Sequence, residues 1–463
     1  MKLFFIECKR SALNIIYLLF IILLTANWYT NFADVTDSEI KRTASDESAS
    51  VSINRPLLLK PEPDDPGFGS KTEENPEKIM TGAAEKLITE YKKNIYAAYP
   101  FGYYKTVSLS ETSQMRVLEI IKEITGLDES QLNDLPDNFF PTVNGTIIHF
   151  SQSDNLQTGS SEFKVDSSVS DGIDQPDTDD HTKKFISQVS YEHFKELMSE
   201  MEDMIGLKGS NYSMKMLITY CGQTEMTYED ACEEYRQTCE NDKVTGGFAR
   251  LMCDYMGQVI GLLPVIITVF IWLRDKRHNT DMLIYCRKIS SFKLIFTRIS
   301  ANTAVVLLPV FLLSFQSLIP LVKFAAENNL SADYSAFIKY ILWWLLPETL
   351  IVITTGTFLT LLTDSPVAVL VQFIWWFAAR GMTDLSDDTS LLTLMIRHNT
   401  LSGYEIIQQN AGLITLNRLL FVMLSMVLTA CSVLVLNKKR NGRLNASGMY
   451  KTLFATVREK IRA

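Results

Sequence analysis

The sequence predicts a mainly α-helical membrane protein with six transmembrane helices and a mostly helical extracytoplasmic domain inserted between helices 1 and 2. Two observations predict this class. One charge-free apolar run follows the N-terminus and five more fill the second half of the chain. The acidic residues 31–255 separate the first run from the others. A helix needs about 20 apolar residues to cross the hydrocarbon core of a bilayer, so each long run is a candidate crossing.

The apolar runs differ in length and charge. Four contain no charged residue, namely 11–33, 255–273, 299–322 and 419–437. The run at 340–363 contains one, Glu348, and the run at 365–379 is uncharged but short. The short run could be a re-entrant segment or a crossing. We interpret it as a crossing, because a re-entrant segment would place one basic end of the chain outside the cell.

Basic residues orient the chain, because loops rich in Lys and Arg are retained in the cytoplasm. Residues 1–10 have a net charge of +2, residues 274–298 of +5 and residues 437–463 of +7. All three segments are therefore expected inside, which requires an even number of crossings. The expected order is cytoplasmic 1–10, helix 1 at 11–30, extracytoplasmic 31–255, helix 2 at 256–273, cytoplasmic loop 274–298, helices 3–6 within 299–436 and a cytoplasmic tail at 437–463.

The first apolar run has two interpretations. Its basic start fits a cleaved signal peptide. Its length, and the interfacial character of Asn27-Trp28-Tyr29, favour a retained anchor. We therefore expect this run to remain as helix 1.

The region between helices 1 and 2 is strongly acidic. Residues 30–255 hold 41 Asp and Glu against 21 Lys and Arg. Long domains are translocated largely regardless of charge, so this acidity does not oppose an external location. Nucleic acid is excluded as a partner, because phosphate binding needs basic patches.

Composition divides this region into linkers and helices. Residues 34–80 and 151–183 are rich in small polar and acidic residues and are predicted to be flexible. Helices are predicted after the caps Ser110, Ser190 and Thr227. Apolar residues at helical spacing define the buried faces of the first two: Met115, Leu118, Ile121 and Ile124, then Phe194, Leu197, Met201 and Met204. A hairpin is predicted at 139–150 around Asn144-Gly145, and one continuous helix at 247–273.

Four cysteines fall in the predicted extracytoplasmic region: Cys221, Cys232, Cys239 and Cys253. Four cysteines in an oxidising compartment suggest two disulfides, with three possible connectivities. Spacing does not choose among these connectivities. The alternative is that one or both pairs stay reduced. A zinc site is less favoured, since no histidine lies near these cysteines in the sequence.

Catalytic motifs are absent from the sequence. It contains no G-x-x-x-x-G-K-[ST], no H-E-x-x-H and no G-x-S-x-G, and its five histidines are scattered. These motifs hold phosphate, zinc or a nucleophilic serine in many enzymes. We therefore expect no enzymatic activity in this chain and no bound cofactor or metal.

Three segments carry functional hypotheses. The basic loop 274–298 can form a short amphipathic helix that contacts either anionic lipid or a cytoplasmic protein. The segment between helices 5 and 6 either dips into the membrane or is an ordinary surface loop. Glu348 is an ionisable residue inside a span, which indicates a place in a transport path; the alternative is an anchoring role through Lys339 or water. Asn302, Gln316 and Gln372 are expected to make hydrogen bonds between helices.

The second half of the chain resembles the permease subunits of ATP-binding-cassette exporters, in the type-2 membrane family. Four stretches carry the resemblance: the loop from Lys276 to Ser291, Leu-Leu-Pro-Glu in the fourth span, Leu416-Asn-Arg-Leu-Leu-Phe at the sixth, and the basic run that starts at Asn437. The resemblance covers roughly residues 250–445 and the first span. The long insertion between spans one and two is a variant of the family pattern.

This resemblance implies a partner, a mechanism and a location. Such permeases work as homo- or heterodimers in the bacterial plasma membrane with separate ATPase subunits, so ATP would be hydrolysed elsewhere. The loop between spans two and three would hold a coupling helix, with Arg277, Thr280, Asp281 and Lys288 at the ATPase contact. Residues 381–412 would form an outward re-entrant segment.

Two other functions remain open from the sequence. In the first, an ATP-driven complex senses a ligand or confers resistance through the ectodomain, and nothing crosses the bilayer. In the second, the chain is a receptor or scaffold unrelated to ATP-binding-cassette proteins. The first predicts no continuous polar path between the spans. The second predicts no stable ATPase partner and tolerance of charge reversal at Arg277 or Asp281.

Overall fold

The computed structural model describes most of the chain and is mostly helical (74% helix). The described residues are 2–45, 56–65, 67–99, 104–133, 135, 139–140, 185–206, 209–380, 392–397 and 400–442. The mainly α-helical class predicted from the sequence is confirmed. The predicted hairpin around Asn144-Gly145 and the predicted linker at 151–183 lie outside the described residues.

The described residues form the following helices and strands, in chain order. They are α1 (Lys2–Ala12), α2 (Ile15–Trp28), α3 (Asp34–Ser45), β1 (Ser70–Thr72), α4 (Pro76–Lys93), β2 (Tyr96–Ala98), β3 (Lys105–Val107), α5 (Glu111–Thr125), α6 (Glu129–Asn133), α7 (Tyr191–Ile205), α8 (Met214–Cys221), β4 (Gln223–Glu225), α9 (Tyr228–Tyr235), α10 (Thr245–Ile260), α11 (Leu263–Arg277), α12 (Thr280–Cys286), α13 (Ser291–Glu327), α14 (Ala336–Tyr340), α15 (Leu346–Thr363), α16 (Val367–Arg380) and α17 (Tyr404–Arg440). In the described part of the chain, the π-helical turns Tyr29–Ala33, Arg236–Asn241 and Ile341–Leu345 extend α2, α9 and α14.

The chain divides into two compact units. One comprises Met1–Gly69 with Met226–Ala463, and the other comprises Ser70–Glu225. Among the described residues, the first unit contains the apolar helices and the second contains two small sheets. Each unit has a hydrophobic core of its own.

Among the described residues of the first unit, five helical stretches are long and apolar enough to cross a membrane. They are Ile15–Lys41, Thr245–Arg277, Ser291–Glu327, Ala336–Thr363 and Tyr404–Arg440. The short apolar helix Val367–Ala379 corresponds to the fifth run of the sequence. The chain therefore has the character of a multi-pass membrane protein, with one helix shorter than a full crossing requires.

The second predicted span is not the uninterrupted helix that we expected at 247–273. Its hydrogen-bonded ladder breaks at Gly261 and Leu262, between α10 and α11. Pro264 follows in the first turn of α11 and supplies no backbone N–H, so it cannot bond the preceding turn. The break divides the span into two shorter helices.

Two other boundaries differ from prediction. Within the stretch 34–80, for which we predicted a linker, the structure places α3, β1 and the start of α4. Part of the segment 381–412, predicted as re-entrant, belongs to α17, which begins at Tyr404. Residues 381–391 of that segment lie outside the described residues.

The Ser70–Glu225 unit is built from capped amphipathic helices. Ser110 and Ser190 accept hydrogen bonds from the backbone of the third residue of α5 and α7, as their sequence predicted. The buried face of α7 includes Phe194, Leu197 and Met201, which confirms three of its predicted core positions. On α5, the predicted core positions Ile121 and Ile124 are buried, which confirms them, whereas Met115 is exposed. The buried face also includes Val117 and Ile120, which were not predicted.

Both sheets of this unit are short antiparallel pairs. Strand β1 pairs with β4 in the register Ser70 to Glu225, and β2 pairs with β3 in the register Tyr96 to Val107. The first pairing brings together the two ends of the unit. Gly69 and Met226, the residues directly before and after the unit, are also hydrogen-bonded: Met226 N donates to Gly69 O at 3.0 Å.

Candidate functional site

The break between α10 and α11 exposes backbone carbonyls inside the bundle. The Gly261 carbonyl accepts a hydrogen bond from Nε2 of Gln372 at 2.7 Å. The Gln258 carbonyl accepts one from Nε1 of Trp376 at 2.8 Å. Both donors lie on α16. Polar side chains of neighbouring helices commonly satisfy broken helices within membranes, so this role explains why the short helix α16 carries them.

Glu348 packs against this break. It lies in the first turn of α15 and is 1% exposed. A Cβ atom on Gly261 would lie 3.0 Å from Oε1 of Glu348, and one on Gly257 would lie 3.4 Å from Oε2. The two glycines therefore leave the space that the carboxylate fills. Within the described part of the chain, Oε1 of Glu348 has no hydrogen-bond donor.

Arg418 supplies the cation that faces Glu348. Its Nη1 lies 3.9 Å from Oε2 of Glu348, and both side chains are at most 3% exposed. The same Nη1 donates to the Leu394 carbonyl at 3.1 Å. Its neighbour Asn417 donates from Nδ2 to the Thr393 carbonyl at 3.1 Å. Helix α17 thus binds both a buried acid and the backbone of the connection between α16 and α17.

A second buried pair lies beside the first. Nε of Arg397 lies 2.8 Å from Oδ1 of Asp254, whose side chain is 1% exposed. Asp254 precedes Gly257 by one turn of α10, so it faces the same side of that helix as the two glycines. We define the Glu348 site as Glu348, Arg418, Asp254 and Arg397 together with the break at Gly261 and Leu262.

The Glu348 site is electrically balanced. Its carboxylates lie on α10 and α15, and its guanidinium groups come from α17 and from the α16–α17 connection. Burying a charge away from water is costly unless it is paired. The site can therefore exchange one cation for another more easily than it can lose one.

The sequence predicted Glu348 but not its partner. Lys339, the partner that we considered, bonds Asp333 at 2.7 Å. The signal in the sequence for this pair was Arg418, which directly precedes the last apolar run at 419–437. Of the predicted polar helix residues, Gln372 does bond another helix, and Asn302 contacts Ser11 of α1. Gln316 is exposed.

A third ion pair, Arg250 with Asp242, lies beside the main-chain carbonyl of Leu401. Arg250 is 1% exposed and lies 2.9 Å from Oδ2 of Asp242. It also donates from Nη2 to the Leu401 carbonyl at 2.8 Å. Asp242 lies before α10, and burial raises the pKa of its carboxyl although Arg250 opposes the shift. The α16–α17 connection is thus fixed by arginines at two places.

The loop between α11 and α13 is held by a separate ion network. Arg298 of α13 is 3% exposed and lies 3.4 Å from Glu7 and 2.6 Å from Asp275. Its guanidinium also lies 4.3 Å from the Trp272 ring centroid, within the range of a cation–π contact. Arg10 bonds the second oxygen of Asp275. The network ties α1, α11 and α13 together.

A third acidic residue, Asp364, joins the same region to α17. Asp364 lies 3.0 Å from Lys276 and 2.5 Å from Lys439. A cavity of about 30 Å³ separates this cluster from Asp275, with Trp272 and Thr360 in its lining. That volume holds about one water molecule.

Helix α12 is fastened to this network at both ends. At its start, Thr280 Oγ1 donates to the Asp275 carbonyl at 2.9 Å. Toward its end, Arg440 donates to the carbonyls of Ile284 at 3.2 Å and Ile289 at 2.6 Å. A seven-residue helix is too short to be stable alone, so these contacts hold it in place.

The predicted coupling residues lie around α12. Arg277 and Lys288 are exposed at either side of it. Thr280 is partly buried and bonds the Asp275 carbonyl. The side chain of Asp281 is outside the described residues. Leu283 is 67% exposed, a large apolar residue that was not among the predicted coupling residues.

The predicted disulfides are not supported. All seven cysteines are free, including the four candidates Cys221, Cys232, Cys239 and Cys253. Cys221 lies in the Ser70–Glu225 unit and burial raises the pKa of its thiol. Among the described residues, no group of three or more His, Cys, Asp or Glu side chains could hold a metal ion.

Glu90, a partly buried acid of the Ser70–Glu225 unit, was not indicated by the sequence. Glu90 of α4 accepts hydrogen bonds from Oη of Tyr212 at 2.6 Å and Nδ2 of Asn211 at 2.8 Å. Burial raises the pKa of Glu90 and lowers the pKa of its neighbour Lys86. The cluster fastens α4 to the start of α8.

Comparisons of this chain with protein-family models, with curated proteins and with solved structures found no match. The residues and contacts of the chain itself are therefore the basis for a function.

Proposed function

We propose that this chain is the membrane-spanning permease subunit of an ATP-binding-cassette transporter, working as an exporter and driven by a separate ATPase. One observation carries the proposal. A short helix, α12, projects from a basic loop and is fastened at both ends to the ends of the apolar helices. A helix held in this way can pass a push from an outside protein to the bundle.

The contacts of α12 identify the helices to which such a force would be transmitted. Thr280 connects it to α11 through the Asp275 carbonyl. Asp275 connects α11 to α13 and α1 through Arg298 and Arg10. Arg440 connects the loop to α17. Coupling between distant sites travels through packed and hydrogen-bonded networks, and four helices meet in this one.

The exposed side of α12 suits a protein partner. Leu283 is 67% exposed, and the cations Arg277, Arg287 and Lys288 around it are exposed. An apolar residue with a charged rim is the usual composition of a protein interface. We propose that the ATPase subunit contributes an acidic surface here and closes against it when nucleotide binds.

The proposed arrangement in the membrane follows from charge. The termini and residues 274–298 lie in the cytoplasm of a bacterial cell, and residues 31–255 lie outside. This arrangement makes α16 a sixth crossing. Two permease subunits, identical or different, assemble with two ATPases. Transport requires that substrate bind the inward-facing and outward-facing states with different free energies.

The test is co-purification from native membranes in mild detergent. We expect a P-loop protein to co-purify at about one copy per chain and to hydrolyse ATP. Its amount should fall about tenfold with Arg277→Glu or Lys288→Glu, because reversed interface charges repel the partner. Lys438→Glu, an exposed cation outside the loop, is the matched control and should leave the amount unchanged. If no nucleotide-hydrolysing protein co-purifies, the proposal is wrong.

One observation favours a second candidate, a complex that works on its ectodomain without transport. The Ser70–Glu225 unit has its own core and its two ends pair in one sheet. It can therefore be replaced by a Gly-Ser linker between Gly69 and Met226. An exporter is expected to keep nucleotide-driven transport after this replacement. A complex that acts through the unit is expected to lose its function.

A further inference from the structure

Among the described residues, two polar bridges join α5 to α7 within the Ser70–Glu225 unit. Arg116 of α5 holds Glu200 of α7 at both oxygens, with Nε at 2.8 Å from Oε1 and Nη2 at 3.0 Å from Oε2. Seven residues along α5, or about two turns, Oε2 of Glu123 lies 3.2 Å from Nε2 of His193 on α7. One bridge contains an arginine, which keeps its charge at any physiological pH, and the other contains a histidine, which does not.

His193 has a carboxylate at each of its two ring nitrogens. Its Nε2 faces Glu123 at 3.2 Å, and its Nδ1 lies 3.1 Å from Oε2 of Glu196, one turn further along α7. An ionised carboxylate only accepts hydrogen bonds, and a neutral imidazole carries a single N–H. Both contacts are hydrogen bonds only when both nitrogens carry a hydrogen atom. The geometry therefore requires the imidazolium form of His193.

We propose that His193 is a pH-sensitive clasp between α5 and α7. With its proton, His193 holds Glu123 of α5 and Glu196 of α7 at the same time. Without it, one ring nitrogen presents a lone pair to a carboxylate oxygen, and the contact at that nitrogen becomes repulsive. The Arg116 bridge does not change, so loss of the proton weakens the attachment of α7 at its first turn.

The charges on the facing sides of the two helices favour the protonated form of His193. The charged groups of this cluster are Arg116, Glu119, Glu123, Glu196 and Glu200. Four carboxylates and one guanidinium give them a net charge of −3, and a cation in their midst is attracted. The hydrogen bonds to Glu196 and Glu123 accordingly raise the pKa of His193 above its ordinary value of 6.5.

The next charged side chains are held in ion pairs of their own: Lys195 with Glu192 and Glu74, and Lys122 with Asp128. Helices α4 and α8 also pack against α7, and within the described ranges no charged side chain of either helix bonds His193. The dipole of α7 opposes a cation in its first turn, whereas the last turn of α5, which holds Glu123, favours one. The two carboxylates thus dominate the environment of His193.

The raised pKa fixes the direction of the pH dependence. A group whose pKa is higher in the folded chain holds its proton more tightly there than in the unfolded chain. His193 therefore contributes stability that is fully present below about pH 6.5, and this contribution is lost as the pH rises through the pKa of the folded chain. In the proposed arrangement this unit lies outside the cell, so the pH of the medium acts on the clasp directly. The clasp goes beyond the proposed function and does not depend on a separate ATPase.

The test is hydrogen exchange of the purified full-length chain at pH 5.5 and pH 8.5, followed by mass spectrometry. Protection factors for residues 191–200 are compared after division by the intrinsic exchange rates. In the wild-type chain, protection should be about threefold lower at pH 8.5, the size of effect expected for one exposed ion pair. His193→Gln should be equally protected at the two pH values. Arg116→Gln, the matched variant, breaks the bridge that does not titrate, so protection should fall at both pH values and keep the threefold difference between them.

Nuclear magnetic resonance of the chain with ¹⁵N-labelled histidine provides a second measurement. The signals of His193 are those that disappear in His193→Gln. We expect both ring nitrogens to be protonated at pH 6.5, with a titration midpoint above 6.5 that falls in Glu196→Gln and in Glu123→Gln. A midpoint at or below 6.5 overturns the inference, as does a pH dependence of protection that survives His193→Gln or is absent from the wild-type chain. No outcome bears on the ATPase partner, so the two proposals fail independently.

Discussion

Arg440 donates a hydrogen bond from Nη1 to the main-chain carbonyl of Ile289 at 2.6 Å, across 151 residues of sequence. A second hydrogen bond joins its Nη2 to the Ile284 carbonyl. The last residue of α17 thereby fixes the loop that carries α12. Arg440 thus fixes the position of α12, the helix on which a partner protein would act.

Replacement of Arg440 is expected to free this loop. Arg440→Gln removes charge-assisted hydrogen bonds worth about 1.5–3 kcal/mol each, so amide hydrogen exchange at 284–289 should accelerate by at least about tenfold. Hydrogen exchange with mass spectrometry measures this change. Lys438→Gln, an exposed basic residue on the same helix, is the control. Unchanged protection in Arg440→Gln would mean that the loop is held by other contacts.

Replacement of Arg298 is expected to destabilise the bundle. Arg298→Met removes the buried cation that Glu7 and Asp275 share and leaves only the partly exposed Arg10 to pair with them, and breaking a buried pair costs up to about 3–5 kcal/mol. Thermal unfolding in detergent measures the loss. The triple variant with Glu7→Gln and Asp275→Asn should recover much of it, because no buried carboxylate then lacks its cation, and Arg10, whose side chain is 27% exposed, can be solvated by water.

Arg287→Met provides the control for that series. Arg287 is exposed in the loop, and surface changes of this kind stay within about 0.5 kcal/mol. A loss for Arg298→Met no greater than that for Arg287→Met would contradict the network. A triple variant less stable than Arg298→Met would contradict it as well.

The space beside Glu348 predicts a strong effect at one glycine. Gly261→Ala places a methyl group 3.0 Å from Oε1 of Glu348 and 3.1 Å from Cδ1 of Trp376. Overpacking of a buried site costs about 1–3 kcal/mol, so the melting temperature should fall. Glu348→Asp, which withdraws the carboxylate by one methylene, should restore part of the loss in the double variant.

Gly412→Ala is the matched control for Gly261→Ala. Gly412 lies in α17, and nothing stands within 4 Å of a Cβ atom there. Alanine in an open helical position stabilises by up to about 1 kcal/mol relative to glycine. The two substitutions should therefore shift stability in opposite directions. A shift in the same direction would show that the contact with Glu348 does not limit the site.

Asp333 predicts a dependence of stability on acid pH. Burial opposes ionisation, but hydrogen bonds from Lys339 and Ser335 outweigh it and lower the pKa of Asp333 to about 2. The pKa in the folded chain is below the ordinary value of 3.8, so Asp333 contributes stability above about pH 4, and that contribution is lost as the pH falls toward 2.

The comparison of the wild-type chain with Asp333→Asn measures this contribution. The wild-type chain should unfold at higher temperature above pH 4, and the difference should vanish near pH 2. Tryptophan fluorescence reports the unfolding, since Trp343 and Trp344 lie in the following helical turn. A difference that stays constant from pH 5 to pH 2 would mean that ionisation of Asp333 is not its source.

The features that the sequence predicted well are local. The helix caps at Ser110, Ser190 and Thr227 are formed, because a cap depends on residues within one turn. Five apolar runs correspond to long helices for the same reason. The break at Gly261 also had a local signal, because Pro264 follows three residues later.

The features that the sequence did not predict depend on residues far apart in the chain. The pairs Glu348 with Arg418 and Asp254 with Arg397 join elements whose proximity only packing determines. The partly buried acid Glu90 accepts hydrogen bonds from residues more than 120 positions away. The expected disulfides were inferred from an oxidising compartment and from the number of cysteines. Neither determines whether two sulfur atoms lie close enough to bond. Helix α3 was missed because its apolar residues are few.

The most direct test of the central proposal is photo-cross-linking from α12 in native membranes. A photoreactive residue replaces Leu283, which is 67% exposed, and a second variant carries it at Leu312, which is 62% exposed on α13. We expect position 283 to cross-link to a nucleotide-hydrolysing protein, with a yield that changes when ATP is added, and position 312 to cross-link to no such protein. Cross-links from position 283 to lipid alone would contradict the proposal that a separate ATPase drives this chain.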